Sequence, residues 1–191
     1  PEMLDRTARA MKEAGLVTVE LVEAEMEAIP CPDRSVDLII SNGVINLSAR
    51  KARVMAECSR VLRPGGRLCV SDLTVERDDL PPEIATQPAA WAGCVAGALA
   101  EGAFLHKLDR AGFEGAEVLY RVPLSIDDCA LYPLFSDDVI GLMRTLIPED
   151  QHAEVAVAVV VKAHVSEKRA VPIRADDDRL GGSREEGQAP A

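Results

Sequence analysis

Apolar positions recur at helical spacing over residues 2–14, where Leu4, Ala8 and Met11 share one face and Gly15 follows, which predicts an amphipathic helix. Residues 17–22 switch to alternation rich in β-branched side chains and predict a strand. After an acidic link, the run Val36-Asp37-Leu38-Ile39-Ile40-Ser41 is apolar enough for a strand buried on both faces. Ser48 is placed to cap a helix whose Val54, Met55, Cys58, Val61 and Leu62 form one stripe, and Pro64-Gly65-Gly66 ends it. Residues 67–73 read as another buried strand, 89–99 and 101–111 as helices, and 117–122 as a strand. Ser136, with Asp137 and Asp138 at the positive end of a first turn, predicts a helix to about Leu146, and 155–161 is the last strand.

Strands alternating with amphipathic helices predict an α/β domain with a mostly parallel sheet, closed by a C-terminal antiparallel strand pair. That domain is expected over residues 1–164. From 165 to 191 the chain is charge-mixed, with Asp176-Asp177-Asp178 and Glu185-Glu186, and has too few apolar residues to offset the entropy of ordering. A disordered charged tail is the expectation there.

Composition narrows the partners. The 191 residues carry 32 acidic and 21 basic side chains, a net charge of −11, which opposes attraction to nucleic acid or to an anionic membrane. No apolar stretch reaches the roughly 18 residues needed to span a bilayer, and the start Pro-Glu-Met-Leu-Asp-Arg lacks a secretory pattern, so the cytoplasm is the expected location. The five cysteines, at 31, 58, 69, 94 and 129, lack paired spacing and read as free thiols rather than a disulfide framework or a zinc site.

The most informative stretch runs from Glu25 to Asn42. An acidic residue, an apolar residue, a proline turn and a buried strand ending in a polar residue would place Glu25, Met26 and Asn42 at the carboxyl edge of a parallel sheet. Ligands of open α/β sheets bind at that edge.

This stretch, followed by Arg60-Val61-Leu62-Arg63-Pro64-Gly65-Gly66-Arg67-Leu68 and Ala111-Gly112-Phe113, resembles the class I S-adenosylmethionine-dependent methyltransferases in order and spacing, over roughly residues 1–163. Ser41-Asn42-Gly43-Val44-Ile45-Asn46-Leu47, Ser71-Asp72-Leu73 and Ala92-Gly93-Cys94-Val95-Ala96-Gly97-Ala98 are similar to the arsenite methyltransferase branch. The resemblance implies a Rossmann-like methyltransferase fold and S-adenosyl-L-methionine as cofactor, with a small-molecule or metalloid acceptor and no resident metal. It also implies Glu25 near the adenine amine, Met26 against the adenine ring, Asn42 and Gly43 at the sulfonium end, and Cys94 at the acceptor.

The chain departs from that family in two respects. The family's glycine-rich turn, with its two flanking strands, precedes the helix at residues 2–14, so the fold is expected to be incomplete, as a fragment or a misplaced start would be. Those strands lie between the segment at Val17 and the strand at Val36, which predicts an open edge on the latter and self-association through it. The metalloid site in the family uses three thiols, suited to a soft trivalent centre. One lies upstream, one falls where Gly43 stands, and one matches Cys94; Cys31 or Cys129 would have to substitute. The alternative function is a catalytically inactive remnant that acts as an interaction module.

Other residues read as structural. Cys58 and Cys69 are expected to be buried, His106, His152 and His164 have no ligand spacing, and Trp91 is expected to pack a helix. Asp72 fits either the substrate opening or a capping role.

Overall fold

The computed structural model of the chain describes residues 2–76, 80–133 and 135–167. The elements are α1 (Glu2–Glu13), β1 (Val36–Asn42), α2 (Lys51–Val61), β2 (Leu62–Val75), α3 (Pro82–Ala85), α4 (Pro88–Ala92), β3 (Leu99–Ala100), α5 (Glu101–Arg110), β4 (Phe113–Leu124), α6 (Ile126–Ala130), α7 (Asp137–Leu146) and β5 (Ala156–Val165). Short 3-10 turns occupy Ile45–Leu47 and Glu149–Gln151. The expected tail lies almost wholly outside the described residues.

The sheet order is β1-β2-β5-β4, with β3 paired to the end of β2. β1 and β3 run parallel to β2, while β5 is antiparallel to both β2 and β4. Four strands therefore point one way and β5 opposes them, which is the mostly parallel sheet with an antiparallel closing pair that the periodicity predicts. β1 has no partner on its outer side among the described residues.

Helices α2 and α5 cover one face, while the opposite face of β1 is open among the described residues, with Leu38 and Ile40 exposed against the expectation of a strand buried on both faces. Val54, Met55 and Cys58 of α2 and Phe104 and Leu108 of α5 pack on Leu68, Val70, Val159 and Val161 of the sheet. Ile84, Ile126, Cys129, Ile140 and Met143 form a second cluster, against which Leu73 of β2 and Leu124 of β4 pack. Fully burying a side chain such as Phe104 or Met143 contributes about 1.5–3 kcal/mol, so these stripes fix which helix faces turn inward.

Several elements differ from the sequence expectation. Residues 17–22 form no strand: Val17 is 92% exposed, and a strand exists only through ladder bonds that no neighbour here supplies. The helix expected over 89–99 stops at Ala92, because Gly93 presses against the Phe135 ring and Cys94 takes a φ of +63° that no helix continues. Ser48 does not cap α2. Arg50 stands at that position, and the Ser48 hydroxyl instead accepts from the Arg50 N–H at 2.9 Å. Ser136 does cap α7, accepting from the Val139 N–H. Cys58 is buried as expected, whereas Cys69 is only half-buried.

Candidate functional site

The carboxyl ends of the parallel strands β1 and β2 build the candidate site. After Asn42 the chain turns at Gly43, whose φ of +63° is a conformation that glycine adopts without a side-chain penalty. The Gly43 N–H donates to the Ser71 carbonyl at 2.8 Å, extending the β1–β2 ladder by one bond. The 3-10 turn Ile45–Leu47 follows, with Ile45 and Asn46 buried. Asp72, on β2 directly below, accepts from the Asn46 backbone at 3.2 Å and from the Asn46 amide at 2.9 Å.

Cys94 reaches the same edge from the opposite side. Its thiol donates to the Gly43 carbonyl at 3.2 Å. Lys51, the first residue of α2, is buried; its ammonium donates to the Ser48 carbonyl at 2.7 Å and lies 5.8 Å from the centre of the Trp91 ring. Burial pushes the Cys94 thiol up, with the Asp72 charge adding to the effect and Lys51 opposing it. Burial likewise pushes the Asp72 carboxyl up and the Lys51 ammonium down, and each charge partly restores the other.

The segment carrying Glu25 and Met26 is held by α2 rather than by a strand. The buried Glu57 carboxylate accepts from the Ile29 N–H at 3.0 Å, and Arg60 donates to the carbonyls of Ile29 and Cys31 at 2.8 and 2.9 Å. Arg60 also pairs with Glu57 at 2.8 Å and with Asp33 at 2.7 Å. Arg53 donates to the Glu27 carbonyl at 3.1 Å, and the Ser48 hydroxyl donates to the Glu27 carboxylate at 2.6 Å. That last bond holds the Glu27 carboxyl below the usual carboxylate range, and it links the Glu25–Glu27 stretch to the segment that begins at Gly43.

Of the residues singled out in the sequence, Gly43 and Cys94 are in contact, and Asn42 precedes Gly43 at the end of β1, exposed. Glu25 is exposed on a turn closed by the Ala28 N–H, and Met26 is half-buried against the main core. Cys129 is committed to the second cluster, its thiol pushed up to about 11 by burial, and the Cys31 carbonyl is bound by Arg60. Among the described residues no group of three or more metal-ligating side chains converges, and no helix is long and apolar enough to cross a membrane. Sequence reasoning missed Asn46, Lys51, Glu57 and Arg60. Lys51 left a signal: it shares the apolar stripe of Val54, Met55 and Cys58, where an isolated charge is out of place.

The edge can receive a polar ligand. The Ser41 hydroxyl at the end of β1 is buried without a partner, and a Cβ built on Gly43 meets no atom within 4 Å, so open space lies over its backbone. These features leave a hydrogen-bonding hydroxyl and room for a ligand at this edge. The described residues contain no glycine-rich strand-to-helix turn that could approach a methionine moiety.

A family model described as "Methyltransferase domain" matches residues 1–112. An arsenite methyltransferase of Halobacterium salinarum is 38% identical over 118 residues, 62% of this chain and 30% of its own length. The solved arsenic(III) S-adenosylmethionine methyltransferase of Chlamydomonas reinhardtii aligns with a TM-score of 0.53 at 33% identity, covering 75% of this chain and 42% of that one. The YcgJ protein of Bacillus subtilis aligns with a TM-score of 0.69 at 14% identity, covering 87% of this chain and 79% of that one, a likeness of fold alone. The chain spans about a third of the length of the curated relatives it matches first.

Proposed function

Since the chain belongs to the methyltransferase-domain family, as a class I relative of the S-adenosylmethionine-dependent arsenite methyltransferases, we propose that it forms the adenine side and the acceptor side of a methyl-transfer site for a small thiophilic molecule or metalloid. The observation that carries this reading is the contact of the Cys94 thiol with the Gly43 carbonyl, beside Asn42, at the carboxyl edge of β1. Glu25 accepts from the adenine amine, Met26 covers the ring, and Asn42 and Gly43 line the sulfonium end. Bound S-adenosylmethionine supplies an electrophilic methyl group, and the chain contributes alignment and exclusion of water. Cys94, buried and held as a neutral thiol, bonds a soft acceptor by ligand exchange, its proton leaving with the hydroxide or thiolate that its sulfur displaces.

Gly43 leaves one thiol on this face, which favours a monothiol-bound or organic acceptor over inorganic arsenite. Calorimetric titration with S-adenosylmethionine and S-adenosylhomocysteine tests the reading, on this chain and on any longer polypeptide encoded in frame with it. Binding of either ligand is expected, and failure of both in both proteins removes the reading.

A second reading is favoured by the open edge of β1, which pairs on one side with β2 and has no outer partner among the described residues, beside the exposed Leu38 (44%) and Ile40 (73%). In it, two copies pair β1 antiparallel about Ile39, which sets each Leu38 across from the other copy's Ile40 and each Asp37 across from a Ser41, with no like charges opposed. Light scattering distinguishes the two, since a clean monomer leaves the pairing without support.

A further inference from the structure

One buried carboxylate ties together the face that carries Gly43 and Cys94. Asp72 is 4% exposed and accepts from the Asn46 N–H, the Asn46 amide and the Leu73 N–H, at 3.2, 2.9 and 2.9 Å. The N–H groups of Ile45 and Asn46 open the 3-10 turn and have no partner within it, and Val44 at the cap offers no side-chain acceptor. Asp72 caps this turn from another strand, 26 residues away. Asparagine in its place would offer one acceptor oxygen and point two donors at a ring of donors.

Asn46 passes the constraint onward. Its amide also donates to the Leu73 carbonyl at 2.7 Å, so flipping it would set its oxygen against two acceptors; the oxygen stays buried without a donor. Its backbone carbonyl is the floor for the segment that carries Cys94. A Cβ on Gly97 would sit 2.1 Å from that carbonyl oxygen and 3.1 Å from the Trp91 ring, so only glycine allows the approach. The contacts close a circuit from Asp72 through Asn46, Gly97 and Cys94 back to Gly43.

We propose that Asp72, acting through Asn46, is the positioning residue of the acceptor face: it fixes the turn after Gly43 and thereby the seat of the Cys94 segment. The inference rests on the reading of this face as the acceptor side. It assigns Asp72 no contact with cofactor or acceptor.

Iodoacetamide alkylation resolved by peptide mass spectrometry tests it, because Cys94 is read against Cys31, Cys58, Cys69 and Cys129 in one sample. In Asp72→Asn and in Asn46→Ala, Cys94 is expected to alkylate about tenfold faster while the other four keep their rates, and amide exchange over residues 45–47 accelerates alongside. The double variant is expected to add nothing beyond the larger single effect, since the two residues act as one unit. A merely structural role would speed the buried Cys58 and Cys129 together with Cys94, and that outcome overturns the proposal. An unchanged Cys94 rate in both single variants overturns it too. Should Asp72→Asn fail to fold, Asn46→Ala with the same readouts decides. Titration of the folded variants with S-adenosylhomocysteine separates the two claims: retained binding with a released Cys94 supports positioning. Absence of binding in the unmodified protein counts against the methyltransferase reading and leaves the alkylation ratios to judge Asp72.

Discussion

The Cys94 thiol and the Gly43 carbonyl, 51 residues apart in sequence, meet at 3.2 Å across the carboxyl edge of β1. The contact is to the carbonyl; a Cβ at position 43 would meet no atom within 4 Å, so a longer side chain has open space to extend toward the Cys94 segment. Gly43→Cys is expected to create a two-thiol site, at a backbone cost of about 1–3 kcal/mol for a non-glycine residue at a φ of +63°. Phenylarsine oxide, which bridges two thiols, should stay on the variant against a monothiol competitor at least about tenfold longer than on the parent protein, through the effective concentration of the second thiol. Equal retention, read by intact mass, would show that the two positions do not share a ligand.

Gly97→Ala forces a methyl group into the Asn46 carbonyl, which backbone cannot readily vacate. Overpacking of this kind costs about 1–3 kcal/mol, measurable as a lowered urea midpoint, and Cys94 should become the fastest-alkylating buried thiol. A midpoint equal to that of the parent protein would mean that the segment closes less tightly than its contacts indicate.

The Glu57–Arg60 clamp gives stability a defined acid dependence. Arg60 beside it holds the Glu57 carboxyl below the usual glutamate range, and the Ile29 N–H adds to the effect. A depressed carboxyl stabilises the fold fully above its unfolded-state pKa, and that contribution is lost as pH falls from the ordinary glutamate range through the lower folded value. Glu57→Gln should remove this acid-side slope and cost about 1–3 kcal/mol at neutral pH, since a buried acceptor for Ile29 and Arg60 is weakened. Urea midpoints followed from neutral pH into the acid range would show parallel curves for both proteins if the clamp were idle.

Ile40→Lys places a charge on the exposed side of β1, where Ile40 is 73% exposed. Stability is expected to change by less than about 0.5 kcal/mol, as for surface positions generally, while any self-associated species falls to monomer in light scattering. Persistence of the larger species would locate the association elsewhere on the molecule.

Most of the fold was legible because its periodicities are local. The α2 stripe, the Ser136 cap of α7 and the apolar run of β2 each record burial in their own spacing. The run of β1, expected to be buried on both faces, leaves Leu38 and Ile40 exposed because no described residue covers that face. Helix 89–99 was misread because its end is set by Phe135, far along the chain, against Gly93. Asn46 left little trace, since a polar residue inside an apolar run gains meaning only once Asp72 is beneath it.

The sequence by itself determined the α/β class and the family, because hydrophobic spacing and motif order need no neighbours to be read. Only the tertiary structure decided which candidates meet. Residues 17–22 have strand chemistry and form no strand, for a ladder needs a second backbone. Gly43 and Cys94 touch because Asp72, Asn46 and Gly97 pack in one order, and such contacts between distant segments are written in no local pattern.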